Sequence, residues 1–122
     1  MIMIDVHLWN INRQNYDQML ITIDTGASVT TVSSDILVKL GYDVALGENR
    51  RITTASGVEY VKSINISKLK IGNFELSDIE VYAHSFPQES FSLGVLGLNV
   101  LRNFDVNLLF SKGRIELLER RT

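Results

Sequence analysis

The residues best placed to do chemistry are Asp24-Thr25-Gly26, at the centre of the run Leu20-Ile21-Thr22-Ile23-Asp24-Thr25-Gly26-Ala27-Ser28-Val29-Thr30. An apolar strand leads straight into a carboxylate, and a small hydroxyl residue, a glycine and an alanine follow it. That order sets one acid at the mouth of a tight turn, where a backbone can come close to a ligand. The chemistry on offer is activation of water by a carboxylate. A lone Asp in a turn also has an ordinary structural use, since its oxygen accepts a backbone N–H and shapes the turn. Here the acid emerges from an apolar strand rather than a surface loop, and β-branched residues after the turn return the chain to a sheet. The motif occurs once. The other aspartates, Asp5, Asp17, Asp35, Asp43, Asp78 and Asp105, sit in no such turn.

Other chemistries find little support. His7 and His84 are far apart and lack metal-ligand spacing, so they read as surface residues and no metal site is expected. No serine lies in Gly-x-Ser-x-Gly, and no glycine-rich loop has phosphate-binding form, so no cofactor is expected. The absence of cysteine excludes disulfides, thiolate metal sites and thiol nucleophiles. Trp9 and Phe74 read as core or interface, and Asp78 and Glu80 as the solvent face of a strand. The net charge is −2, with acids and bases interspersed, so neither nucleic acid nor a membrane surface is an expected partner. With no long apolar stretch, neither a signal peptide nor a membrane span is expected, and the expected location is cytoplasmic.

The elements that must position Asp24 are mostly strands. A chain of 122 residues with 45% hydrophobic content can bury one core, and one domain is expected over residues 1–122. Period-two alternation marks Ile2 to Trp9, and strand character returns from Met19 to Ile23 and from Val29 to Val32. Ser33-Ser34-Asp35 offers a helix N-cap before Ile36 to Leu40, and Gly41 suits the helix end. Leu46 to Arg50 reads as a loop. Arg51 to Ala55 and Val58 to Val61 read as a hairpin around a Ser56-Gly57 link. The alternation changes phase near Ser67-Lys68, which predicts a bulge or bend. Gly72-Asn73 marks a turn before a strand from Phe74 to Ala83, which carries a second phase slip. His84 to Leu93, holding Pro87, reads as irregular. Gly94-Val95-Leu96-Gly97 is an apolar strand flanked by glycines, Leu98 to Asn103 a short helix, and Val106 to Leu118 a closing hairpin about Lys112-Gly113.

An apolar strand ending in Asp-Thr-Gly-Ala-Ser, a hairpin some thirty residues later, and Val95-Leu96-Gly97-Leu98-Asn99-Val100-Leu101 before a closing hairpin together resemble the retropepsin-like aspartic proteases over nearly the whole chain. The resemblance implies a mostly-β, closed-barrel-like acid-protease fold with one or two short helices. It implies that Asp24 is the catalytic acid, that Thr25 hydrogen-bonds across a dimer axis, and that Gly26 faces substrate backbone. Gly97 would pack behind the active-site loop. The hairpin would be a flap closing over an extended polypeptide, with Gly57 near its tip. Ala27, Ser28, Ala55, Ser56 and Leu96 would complete the substrate groove.

Hydrolysis by this route needs one acid to take a proton from water while another gives one toward the carbonyl. Two carboxylates about 3 Å apart cannot both ionise easily, so they share a proton. A single Asp-Thr-Gly therefore predicts a two-fold homodimer through Asp24-Thr25-Gly26, in which Asp24 meets its own copy.

Departures from the family pattern also carry information. Ser28 and Leu98 stand where many viral members pair an Asp with an Arg. Both charges are gone together, which leaves no orphan buried charge and points to a cellular, bacterial-type member. The sparse glycine of Thr53 to Val58 implies a stiffer flap. Glu119 to Thr122 is a poor terminal strand, so any dimer sheet is expected from Ile115 to Leu118 or from the N-terminal strand. The rival reading is a catalytically weak or silent dimerisation or peptide-binding module on the same fold. A plain β-barrel with a turn aspartate is the third.

Overall fold

The computed structural model describes residues 2–85 and 93–120. Strands β1 (Met3–Asn10) and β2 (Asn15–Ile23) form an antiparallel hairpin. Alternation along β1 buries Val6 and Leu8 and turns His7 and Trp9 part-way outward. The turn is tied by Asn10, whose Oδ1 accepts the Arg13 N–H and whose Nδ2 donates to Asp17. Hydrogen bonds from Asn10 and Arg13 hold the Asp17 carboxyl below the usual carboxylate range.

Strand β7 (Gly94–Leu96) lies between β2, to which it is parallel, and β3 (Thr30–Ser33), to which it is antiparallel. β3 runs parallel to β6 (Phe74–His84), and β6 pairs antiparallel with the long β5 (Gly57–Ile71). The far end of β5 reaches β1 through Leu8↔Leu69 and His7↔Lys70. The circuit β1-β2-β7-β3-β6-β5 thus closes on itself as a barrel, and β4 (Glu48–Thr54) continues the sheet outside it. Inside lie Leu8, Ile21, Val32, Leu37, Ile66, Leu69, Val81 and Leu96, all at 0% exposure. Strands β8 (Phe104–Leu109) and β9 (Arg114–Glu119) form a separate two-stranded sheet. Phe74 meets Phe104 edge-on at 4.9 Å and so joins that sheet to the barrel. Among the described residues no helix is long and apolar enough to cross a membrane.

The mostly-β closed barrel with two short helices, α1 (Ser34–Lys39) and α2 (Leu98–Leu101), is the expected architecture. α1 ends as its sequence predicts. Gly41 has φ +95, and the Tyr42 and Gly41 N–H groups bond back to Leu37 O and Val38 O, satisfying the last carbonyls. Its start differs, because Ser33 makes no side-chain cap.

Other local expectations are corrected. Leu46 to Arg50 is not a loop: a 3₁₀ turn covers Val44–Leu46, and β4 begins at Glu48 by pairing with Ser63. The hairpin link is Ala55-Ser56 rather than Ser56-Gly57, because Gly57, at φ +122, is the first residue of β5 and pairs with Thr54. No residue is inserted near Ser67-Lys68. The β5–β6 register is the same on both sides, and the irregularity is Asp78 at φ +54, opposite Ser67. Glu80 is half-buried rather than solvated and accepts the Ser63 hydroxyl at 2.6 Å. His84 ends β6, and of the expected irregular stretch residues 86–92, with Pro87, lie outside the described residues.

Candidate active site

The Asp24 turn is built where two barrel strands end side by side. Thr22 and Ile23 of β2 pair with Val95 and Leu96 of β7, and the Asp24 N–H continues that ladder to Leu96 O at 3.1 Å. The turn then closes twice. Ala27 N–H bonds Asp24 O at 3.2 Å, and Gly26 N–H bonds the Asp24 carboxylate Oδ1 at 2.8 Å. The structural use of a turn aspartate is therefore present. It occupies one oxygen, while Asp24 stays exposed and its Oδ2 has no hydrogen-bond partner among the described residues. A Cβ on Gly26 would stand 3.1 Å from Oδ1, so glycine leaves the carboxylate room.

Gly97 lies directly beneath this turn. A Cβ there would fall 2.7 Å and 2.8 Å from Val29 C and O, and 2.9 Å from Ala27 O. This closeness lets the start of α2 bond the loop, Leu98 N–H to Ala27 O at 2.8 Å and Asn99 N–H to Ser28 O at 3.1 Å. A buried polar network holds both loops. The Thr30 hydroxyl, at 0% exposure, accepts the Gly97 N–H at 3.0 Å and donates to Asn99 Oδ1 at 2.9 Å. That same Oδ1 accepts the Thr30 N–H at 2.8 Å, and Asn99 Nδ2 donates to Glu80 O at 2.8 Å. No buried side-chain polar atom among the described residues lacks a partner.

The structure thus gathers Asp24, Thr25, Gly26, Ala27 and Ser28 against Gly97 and Leu98. Thr25 and Ser28 are exposed and Ala27 is half-buried. Ala55, Ser56 and Gly57 form a separate exposed group at the end of the β4–β5 hairpin. Leu96, at 0% exposure, packs its side chain into the barrel core directly before Gly97. Among the described residues no group of three or more His, Cys, Asp or Glu side chains could hold a metal ion.

Thr30 and Asn99 are the positioning residues that sequence reasoning missed. They are 69 positions apart, and nothing local marks either. Thr30→Val keeps the shape and deletes the acceptor for the buried Gly97 N–H. It is expected to cost about 1–3 kcal/mol, read as a lower urea midpoint at unchanged slope. An unchanged midpoint would show that the network does not hold the loops.

Residues 9–103 match the family model described as "gag-polyprotein putative aspartyl protease". The fold is similar to the crystal structure of a retropepsin-like aspartic protease from Rickettsia conorii, with a TM-score of 0.66 and 19% identity over 94% of this chain and 79% of that one. No curated protein sequence matches the chain. The family model covers most of the sequence, and its carboxylate turn sits on the barrel that the solved structure shares. The chain belongs to the retropepsin-like aspartyl protease family.

Proposed function

We propose that residues 1–122 form one aspartic endopeptidase domain, active as a homodimer in which Asp24 faces Asp24 of a second copy. The observation that carries this reading is a single carboxylate, fixed by one oxygen in its turn and exposed at the other, at the end of two paired barrel strands. One such group cannot act as base and acid in the same step, and a two-fold axis beside it supplies the second.

In this reading the carboxylate pair holds one proton and a water. The ionised carboxylate takes a proton from water as the water oxygen bonds to the peptide carbonyl carbon. The protonated one gives its proton to the carbonyl oxygen. Collapse of the tetrahedral intermediate then breaks the C–N bond, and the departing nitrogen takes a proton from the acid that received one. Thr25 ties the two loops across the axis, and Gly26 lets the substrate backbone approach. The β4–β5 hairpin, with Ala55, Ser56 and Gly57 at its end, closes as a flap over an extended polypeptide beside Ala27 and Ser28. The water is held by carboxylates alone, so the step uses no cofactor.

A pH dependence follows from the shared proton. Raising the pH removes it, leaving two repelling carboxylates and no acid, while strong acid protonates both and leaves no base. The rate is expected to peak below neutral pH. A rate still climbing above about pH 9 would contradict the mechanism. Digestion of a peptide library by wild type and by Asp24→Ala tests the activity. Wild type should cut and the variant should not. Binding of peptides without cleavage by wild type would favour a binding module instead.

A further inference from the structure

The β4–β5 hairpin reaches beyond the sheet that supports it. Its ladder runs from Glu48↔Ser63 out to Thr54↔Gly57, whereas the β5–β6 ladder starts at Lys62↔Ala83. Arg50↔Val61 is therefore the first pair of the overhang, and any swing of the hairpin against the barrel has its root there. Alternation assigns the faces at this root. The core residues Val81 and Ala83 oppose Ile64 and Lys62, so that face continues the barrel interior. Arg50, Ser63 and Glu80 lie on the other, outer face.

Three side chains on the outer face bridge three strands. Ser63 of β5, buried at 7%, donates its hydroxyl to Glu80 Oε2 at 2.6 Å. Arg50 of β4 has its Nε 3.6 Å from the same oxygen. Glu48 holds the guanidinium from the other side at 2.6 Å, but it shares β4 with Arg50 and so crosses no strand. The main chain of Glu80 is tied elsewhere. Its carbonyl accepts Asn99 Nδ2 at 2.8 Å, and Asn99 Oδ1 accepts the hydroxyl of Thr30, which in turn holds the Gly97 N–H. One residue of β6 thus anchors the hairpin root through its side chain and the Asp24 loop through its backbone.

We propose that Glu80 is a positioning residue, whose tie to Arg50 fixes the angle at which the hairpin leaves the barrel relative to the Asp24 loop. Its effect on substrate rests on the aspartic-endopeptidase reading, in which the hairpin closes as the flap over an extended polypeptide. Ion pairs as open to water as this one add little to global stability. The leverage comes from place, because a small restraint at the root of a two-stranded arm limits a larger excursion at Ala55-Ser56. Releasing the tie widens the range of positions the hairpin visits, so more freedom is lost when it closes on a peptide. Ground state and transition state share that loss, which raises KM more than it lowers kcat.

The test uses Arg50→Gln, Glu80→Gln, the double variant and Arg50→Lys. Amide hydrogen exchange is followed by mass spectrometry in residues 51–60 and, as a reference, in β1. KM and kcat are measured on an octapeptide that wild type cleaves, taken from a random library. Each Gln variant should speed hairpin exchange roughly threefold and raise KM by a similar factor, with β1 unchanged. The double variant should do no more than either single one, because both delete the same tie. Arg50→Lys keeps the charge and should stay near wild type, and high salt should bring wild type toward the Gln variants. With a cleaving wild type, four results overturn the inference and leave the protease reading intact. These are unchanged hairpin exchange, an equal acceleration in β1, effects that add in the double variant, and faster exchange at an unchanged KM. Faster hairpin exchange in the Gln variants, when wild type cleaves no peptide of the library, supports the tie and overturns the protease reading. Unchanged exchange without any cleavage overturns both.

Discussion

Asp24→Asn is expected to abolish peptide cleavage while leaving the fold and the dimer in place. Asparagine is isosteric and its side-chain oxygen can still accept the Gly26 N–H, so the turn that Asp24 Oδ1 now closes at 2.8 Å survives. What the substitution removes is the proton chemistry. Because both members of the pair come from the same position, one change deletes acid and base together. The loss should reach at least about 10⁴-fold, the scale of two general acid–base groups acting in one step. The measurement is a digestion of the peptide library beside a thermal melt and a sedimentation profile. Activity within about tenfold of wild type would remove Asp24 from the chemistry. A collapsed melt would mean that the carboxylate serves the turn more than the reaction.

Gly97→Ala is expected to give the largest stability loss of any single methyl in the chain's site. The added Cβ would lie within 2.7–2.9 Å of three backbone atoms of Ala27 and Val29. None of these is the end of a flexible side chain, so the start of α2 or the Asp24 loop has to move. Either movement strains the bonds from Leu98 N–H to Ala27 O and from Asn99 N–H to Ser28 O. Overpacking of this kind costs about 3 kcal/mol or more, which lowers Tm by roughly 10–15 °C in a domain of this size. Cleavage should fall with it, because the displaced backbone carries the carboxylate. Gly72→Ala is the comparison. Gly72 has open space around it and only a left-handed φ of +58, so its substitution should cost about 1–2 kcal/mol and leave cleavage unchanged. Equal melting losses in the two variants would show that Gly97 is not a contact point between the loops.

Much of the barrel is legible in the sequence because its strands are half-buried and alternate. β1, β3, β6 and the β8–β9 hairpin fall close to where period two puts them. Where the sequence misleads, the missing information is in the pairing. Glu48, Asn49 and Arg50 carry no strand signal of their own, and β5 recruits them as partners. A Ser-Gly pair looks like a two-residue link, yet Gly57 spends its positive φ of +122 inside the ladder and the turn moves back one residue. The phase slip near Ser67 is real, but its source is Asp78 across the ladder.

The site divides the same way. Asp24 and Gly97 are marked by their own neighbours in sequence. Thr30 and Asn99 are ordinary polar residues until folding joins them, and their role exists only in the contact between β3 and α2.

The central claim is that one Asp-Thr-Gly makes half of an active site. Mixing wild type with Asp24→Asn protein, refolded together at a fixed total concentration, tests it most directly. If each site needs two Asp24 carboxylates and copies pair at random, an equal mixture retains about one quarter of the wild-type activity, because only wild-type pairs are competent. Retention of about one half, falling in proportion to the wild-type fraction, would mean that each chain works alone and would contradict the account.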